Sequence, residues 1–316
     1  MTTTFLDLVD LASERLGAAV VEVNDEFFAP KENLIKQEPA IWKEGEYTER
    51  GKWMDGWETR RRRDDGDHDW CIVRLGVRGI VRGVDVDTAF FKGNYPESCA
   101  IDVGVLSNDE NEPSAWREVL ARSPLKGDSH NLFPIETAPP ATHLRLRIFP
   151  DGGVARLRVH GDVVADWDNL RLRGDVDLAA VEHGGLVVAC SDMFFGSRHN
   201  LIMPGDATHM GDGWETKRRR GPGYDWTIVR LGTTGTVRRI DVDTRHFKGN
   251  APGACSLEAS VDGNDWRELV AKTPLRPHAR HTFEDQVRPL GDVTYVRFNI
   301  FPDGGVGRLR VYGRPK

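Results

Sequence analysis

Residues 56–63 read GWETRRRR, and the same pattern returns at residues 213–220 as GWETKRRR. A tryptophan and a glutamate followed at once by four basic residues are an uncommon combination. Two copies of it in one chain of 316 residues indicate an internal duplication.

The sequence around each copy repeats as well. The further paired motifs are DW (69–70, 225–226), DVDT (85–88, 241–244), FKGN (91–94, 247–250) and FPDGGV (149–154, 301–306). We therefore expect a first repeat at residues 1–161, including a short N-terminal leader, a polar linker at 162–176 and a second repeat at 177–316. The first repeat carries extra residues around 37–49, which we interpret as a loop insertion.

The hydrophobic period within the repeats is two residues. Leu144, Leu146 and Ile148 alternate with the polar residues His143, Arg145 and Arg147. This alternation is typical of half-buried strands, and glycine, proline and aspartate separate the short segments. The prediction is an all-β protein in which each repeat is an antiparallel sandwich.

Composition limits the class of protein. The chain has 43 basic and 49 acidic residues, a net charge of −6, which does not favour nucleic acid as a partner. It has no apolar run of the roughly 20 residues that a membrane span needs, and no secretory signal pattern at the start. Four cysteines without a CxxC motif favour reduced thiols. We therefore expect a cytoplasmic protein without a membrane partner.

Two further stretches complete a family pattern, FAPKENL at residues 28–34 and DMFFGSRHNL at 192–201. Together with the paired GWET and FKGN motifs, they make the chain resemble the allantoicase family over nearly its whole length. The resemblance implies two tandem jelly-roll domains similar to galactose-binding and discoidin modules. It also implies hydrolysis of allantoate to ureidoglycolate and urea during purine-nitrogen recovery, by a homo-oligomer.

That reaction sets three chemical demands. A cation must hold the carboxylate of allantoate, a general acid must protonate the departing urea, and a base must activate water or deprotonate the remaining ureido group. Arginine matches a carboxylate with two parallel hydrogen bonds, so Arg61 and Arg218 are the candidates for the first role. The alternative is structural, both for the basic runs and for the arginines of the strands, which can pair across strands with Asp85, Asp87, Asp241 and Asp243. These strand arginines are Arg145, Arg156, Arg158, Arg297, Arg308 and Arg310.

Glu58 and Glu215 are the candidates for acid or base. Strand alternation would place Glu58 on one face with Arg60 and Arg62, which would lower its pKa and favour a base. The alternative is a sheet carboxylate that a neighbouring arginine neutralises. His199, where the first repeat has Glu32, is a third catalytic candidate, or a surface histidine.

The remaining candidates lie in glycine-containing turns. Asparagine offers a donor and an acceptor to a ureido group, and lysine offers charge, so the FKGN turns predict substrate-binding residues. The FPDGG turns supply an aspartate each, although ordinary turn chemistry explains both motifs equally well. The predicted substrate-binding residues from these turns are Lys92, Asn94, Asp151, Lys248, Asn250 and Asp303.

No sequence motif requires a cofactor. The chain has no HExxH and no paired CxxC, so a divalent ion such as manganese is possible but has no ligand motif to support it. The competing function is a non-catalytic tandem carbohydrate-binding protein. We expect the paired tryptophans to pack in the core or against the sheets, whereas in the competing function they would be sugar-stacking platforms. The pairs are Trp57 and Trp214, Trp70 and Trp226, and Trp116 and Trp266.

Overall fold

The computed structural model describes residues 4–105 and 115–316. The chain divides into two compact units, Met1–Val164 and Ala165–Lys316. The stretch predicted as a linker contains the only α-helix in the described residues, α1 (Trp167–Leu172), whose first turn is capped by Asp166. None of the helices in this described part of the chain is long and apolar enough to cross a membrane.

In its described residues, 4–105 and 115–164, the first unit has twelve strands and three short 3₁₀ helices. The strands are β1 (Val9–Asp10), β2 (Ala19–Val23), β3 (Tyr47–Thr48), β4 (Gly51–Lys52), β5 (Trp57–Glu58), β6 (Asp69–Asp87), β7 (Ser98–Gly104), β8 (Arg117–Pro124), β9 (His130–Pro134), β10 (Pro140–Phe149), β11 (Gly153–Val154) and β12 (Arg156–Val163). The 3₁₀ helices are Phe5–Asp7, Glu14–Leu16 and Lys31–Ile35.

The second unit repeats this order without the β3–β4 hairpin. Its strands are β13 (Val176–Asp177), β14 (Leu186–Cys190), β15 (Trp214–Glu215), β16 (Asp225–Asp243), β17 (Ala254–Ser260), β18 (Arg267–Pro274), β19 (Arg280–Phe283), β20 (Asp292–Phe301), β21 (Gly305–Val306) and β22 (Arg308–Pro315). The 3₁₀ helices are Val181–His183, Arg198–Ile202 and Met210–Asp212.

The long strand β6 connects the two layers of the first sandwich. Its first part pairs with β2 and β10, and β10 continues to β7 and β8. Its last part pairs with β12 and β9, and β1 lies beyond β12. All these pairs are antiparallel, and β16 holds the same place in the second unit. The predicted pair of jelly-roll sandwiches is confirmed.

The two-residue period places the core as predicted. Leu144, Leu146 and Ile148 are fully buried between the layers, together with Leu157 and Val159 of β12. His143 departs from the pattern, because it is buried although it belongs to the polar set. All four cysteines are free thiols, in agreement with the prediction.

The paired tryptophans of the GWET motifs are core residues. Trp57 and Trp214 are 0% exposed, and each indole Nε1 donates to a backbone carbonyl, of Asp25 and Asp192 respectively, at 2.8 Å. A buried indole offers no face to a sugar. The stacking-platform interpretation of these two residues is therefore wrong.

The strand arginines are structural, but the predicted partners are wrong. Arg156 is almost fully buried, and its guanidinium contacts Asp55 Oδ2 at 2.8 Å rather than an aspartate of β6. Arg308 likewise contacts Asp212 at 3.2 Å. The register does place Arg156 opposite Asp87, yet the side chain reaches past its strand neighbour to a loop. A desolvated guanidinium needs several acceptors, and the loop supplies them as backbone carbonyls.

One phenylalanine brings three distant motifs together in each unit. Phe91 is 1% exposed, and a Cβ added to Gly153 would lie 2.0 Å from its ring, while one added to Gly56 would lie 2.7 Å away. The Gly153 N–H also donates to the Asn94 carbonyl at 2.8 Å. Phe247 has the same relation to Gly213 and Gly305 in the second unit. The GWET, FKGN and FPDGG motifs therefore meet around one ring.

This packing predicts that Gly153→Ala is destabilising. The added methyl group would overlap a ring that is buried on all sides, and overpacking of this kind costs about 1–3 kcal/mol. Gly93→Ala is the matched control, because a Cβ there has nothing within 4 Å. Denaturant unfolding of both variants should show a loss for Gly153→Ala only. Equal stability of the two variants would contradict the packing argument.

Candidate active site

A glutamate–asparagine pair lies where the three motifs meet. The side chain of Asn94 donates from Nδ2 to Glu58 Oε1 at 2.7 Å. The second unit has the same pair, Asn250 Nδ2 to Glu215 Oε1, at 2.6 Å. Two predicted residue types from separate motifs are thus in direct contact in both repeats.

The environment of Glu58 is the reverse of the prediction. Burial raises the pKa of Glu58, and the hydrogen bond from Asn94 opposes that rise only in part. The arginines expected beside it are paired elsewhere: Arg60 contacts Asp25, and Arg62 contacts Asp69.

The predicted cationic face was wrong for a simple geometric reason. Strand β5 has only two residues, so the alternation that would align Glu58 with the arginines ends at Glu58 itself. A carboxylic acid that is desolvated and hydrogen-bonded to a neutral amide retains its proton more readily than one beside a cation. Glu58 is therefore suited to act as an acid rather than as the permanently ionised base that we expected.

Two cavities meet at Glu58 and Asn94, each of about 770 Å³. This volume lies within the ~300–1,000 Å³ typical of small-molecule sites. The first cavity is lined by Phe28, Trp42, Lys52, Met54, Glu58, Phe90, Lys92, Gly93 and Asn94. The second is lined by Phe27, Phe28, Glu58, Thr59, Arg60, Arg61, Gly93, Asn94, Tyr95, Glu97, Pro150, Asp151 and Gly152.

The predicted cations of the first repeat lie on opposite sides of this pair. Lys92 lines the first cavity, and its Nζ is 3.6 Å from Asp128 Oδ2. Arg61 lines the second cavity, is exposed, and forms no ion pair with any residue in the described ranges. Positive charge therefore flanks the glutamate on both sides.

The turn aspartates have a structural partner. Asp151 Oδ2 accepts the backbone N–H of Arg62 at 2.8 Å, and Asp303 Oδ2 accepts that of Arg219 at 2.8 Å. Thr59 Oγ1 also accepts the N–H of Gly152 at 3.1 Å. These contacts fasten the basic run to the FPDGG turn. Asp151 still lines the second cavity, so its place as a substrate-binding candidate stays a prediction.

The remaining candidates of the second repeat are two exposed cations and one histidine on a 3₁₀ helix. Lys248 and Arg218 are exposed, as are Lys92 and Arg61 in the first repeat. His199 lies on the 3₁₀ helix Arg198–Ile202, which contacts β15, and its N–H donates to Ser197 Oγ at 3.4 Å.

Sequence reasoning missed Trp42 and Lys52. Both belong to the stretch around the insertion of the first repeat, which we interpreted only as a loop, and both line the first cavity. A usable signal existed: the tryptophan lies within the insertion, and the lysine lies four residues before the GWET motif, where the second repeat has His209.

The described residues do not offer a ligand set for a metal. Within 4–105 and 115–316, no group of three or more His, Cys, Asp or Glu side chains could hold an ion. The possible role of manganese stays a prediction.

Comparisons with known proteins agree on one family. The family model for the allantoicase repeat matches residues 9–164 and 176–316. A probable allantoicase of Pseudomonas aeruginosa (strain LESB58) is 49% identical over 99% of this chain and 97% of its own. One from Photobacterium profundum is 48% identical over 98% of this chain and 97% of its own.

A solved structure gives the same result. The crystal structure of an allantoicase from Saccharomyces cerevisiae superimposes with a TM-score of 0.86 at 36% identity, covering 96% of this chain and 92% of that one. The family model matches both repeats, and the relatives match almost the entire length. The chain belongs to the allantoicase family.

Proposed function

We propose that this protein hydrolyses allantoate to ureidoglycolate and urea, with Glu58 as the group that exchanges protons with the substrate. Family membership supports the substrate, and the Glu58–Asn94 pair between two cation-flanked cavities supports the role of the residue. The observation that carries the proposal is the burial of Glu58, which raises its pKa and favours a protonated acid.

The chemistry can be written around one carboxyl group. Neutral Glu58 donates its proton to the nitrogen of the departing urea as the bond between that nitrogen and the central carbon breaks. The lone pair of the remaining ureido nitrogen compensates the carbon, giving a C=N cation. Water then adds to the carbon and gives its proton to the Glu58 carboxylate. One water is consumed, one urea leaves, and Glu58 returns to its neutral state.

The neighbouring groups would hold the substrate in place. Asn94 uses Nδ2 for Glu58, so its Oδ1 can accept from a ureido N–H. Arg61 and Lys92 would attract the anionic substrate and orient it, and Asp151 would accept from ureido groups in the second cavity. The corresponding group in the second repeat would be Glu215, Asn250, Arg218, Lys248 and Asp303, with His199 as a further acid or base.

We expect Glu58→Gln to reduce kcat for urea release at least tenfold, since an amide cannot deliver the proton; general acid catalysis contributes roughly 10²–10⁴ in rate. The double variant Glu58→Gln/Glu215→Gln should reduce it at least a hundredfold, and Glu215→Gln alone reports the share of the second repeat. Urea would be measured with and without added manganese.

Glu118→Gln provides the matched control, because this carboxylate lies on β8 in an exposed ion pair with Arg147. Normal turnover in a folded double variant would exclude the glutamates as proton donors. Absence of urea from the wild-type protein under both conditions would refute the proposed reaction itself.

Glu58 should also lower the stability of the folded protein at neutral pH. A carboxyl group whose folded-state pKa is raised stabilises the fold below its unfolded pKa, and this contribution is lost as the pH rises through the folded pKa. Because the unfolded chain ionises this glutamate more readily than the folded chain does, burial of Glu58 opposes folding at neutral pH. Glutamine stays neutral in both states and retains an oxygen for Asn94. Glu58→Gln should raise Tm at about pH 7.5 and give no gain near pH 4.

Thermal unfolding at the two pH values tests this expectation, again with Glu118→Gln as the control. A Tm for Glu58→Gln that is equal to or below the wild-type value at neutral pH would show that burial does not disfavour the ionised form.

A further inference from the structure

The insertion of the first repeat builds one wall of the first cavity. Trp42 lies within it, and Lys52 lies at the end of its hairpin, formed by β3 and β4. In the second repeat the corresponding chain runs from the 3₁₀ helix Arg198–Ile202 to β15 without a hairpin. This wall is therefore a structural difference between the two repeats.

The wall is fastened to the sandwich at several points. Arg50 Nη1 donates to the Phe27 carbonyl at 3.0 Å, and the Ile41 N–H donates to Asp55 Oδ2 at 2.9 Å. Asp55 in turn is held by the buried Arg156. Ring contact between Trp42 and Phe90, with centroids 5.9 Å apart, joins the insertion to the FKGN turn. Residues of the insertion thus have defined positions at the cavity.

Lys52 is placed by an aromatic ring rather than by a carboxylate. Its Nζ lies 4.0 Å from the centroid of Trp42, a cation–π distance. No carboxylate in the described part of the chain forms an ion pair with Lys52, whereas Lys92 in the same cavity has Asp128. The ring orients the ammonium group without neutralising it, so its charge and N–H donors remain available.

We propose that Lys52 binds the substrate carboxylate in the first cavity and makes the first repeat selective for an anionic ureide. This inference rests on the proposed function and adds the residue that recognises the charge. With the carboxylate at Lys52, the ureido groups of a small substrate can reach Glu58 and Asn94, which line the same cavity. Lys92 with its partner Asp128 contributes less net charge.

The second repeat has different groups at the corresponding place. His246 takes the position of Phe90, and its Nε2 lies 2.9 Å from the Ala207 carbonyl. Met210 Sδ lies 3.8 Å from Asn250 Nδ2, beside the Glu215–Asn250 pair. The shared glutamate–asparagine pair thus adjoins a cation-bearing aromatic wall in the first repeat and Met210 in the second. The two repeats are therefore expected to differ in their affinity for a carboxylate.

The test uses Lys52→Met in the intact chain. We expect KM for allantoate to rise on the order of tenfold or more, with kcat within about twofold, because the lost contact is made in the bound substrate as well as in the transition state. Two inhibitors separate charge from shape: ureidoacetate, which has a carboxylate, and ureidoacetamide, which is neutral. Lys52→Met should weaken inhibition by ureidoacetate roughly tenfold and leave that by ureidoacetamide within about twofold.

Lys43→Met is the matched control. Lys43 belongs to the same insertion and lies 4.6 Å from the ring of Trp53, yet it does not line the cavity. We expect its kinetics to equal those of the wild type, and Lys52→Arg to restore most of the affinity. Unchanged KM and inhibition in Lys52→Met would overturn the proposal, as would equal losses for the acid and the amide, or an equal effect of Lys43→Met.

Failure of the proposed function is distinguishable from failure of this inference. If the wild type releases no urea, calorimetry with ureidoacetate and ureidoacetamide still measures binding. If the wild type binds ureidoacetate more tightly than ureidoacetamide and Lys52→Met loses this preference, the result would support Lys52 as the carboxylate-binding residue. Lack of any preference in the wild type would overturn it.

Discussion

In each repeat the site depends on the packing of one phenylalanine ring against the backbone of two glycines. Phe91 and Phe247 lie where any Cβ at the neighbouring glycines would overlap the ring. This close approach brings together a strand, a turn and a loop that are far apart in the sequence. Because the contact is rigid and buried, the hydrogen bond between the glutamate and the asparagine has little freedom to vary. The same geometry in both repeats supports this reasoning.

The second consequence of this packing is electrostatic. The chain is rich in arginine around the GWET motif, yet those arginines are used to pair with aspartates and to fasten loops, as Arg62 is to Asp69. Glu58 is left with an amide partner in a partly desolvated position. Because the nearby arginines are paired with aspartates, Glu58 can keep a raised pKa although cations lie close to it. A carboxyl group in direct contact with arginine would be ionised at neutral pH and could not donate a proton.

The sequence was sufficient for the fold and insufficient for side-chain partners, for a physical reason. Alternation is a property of extended strands, so it predicted the burial of Leu144, Leu146 and Ile148 correctly. It failed for Glu58, because β5 ends there, and for Arg156, whose partner Asp55 lies 101 residues earlier in the chain. The paired motifs correctly identified residues that lie together in each repeat, because equivalent loops occupy equivalent positions on a duplicated framework. The partners of individual charges depend on loop conformations that periodicity does not describe.

Duplication also explains why Trp42 and Lys52 were harder to find than Glu58 or Asn94. Comparing the repeats with each other identifies what they share, and a residue in an insertion has no counterpart to draw attention to it. Differences between the repeats are nevertheless easy to interpret, because the repeats share the same framework around the glutamate. Phe91, Asn94 and Glu58 fix the geometry in the first repeat just as Phe247, Asn250 and Glu215 do in the second. We therefore expect any difference in ligand preference between the repeats to arise from the groups around that framework, and the wall formed by the insertion is one of these.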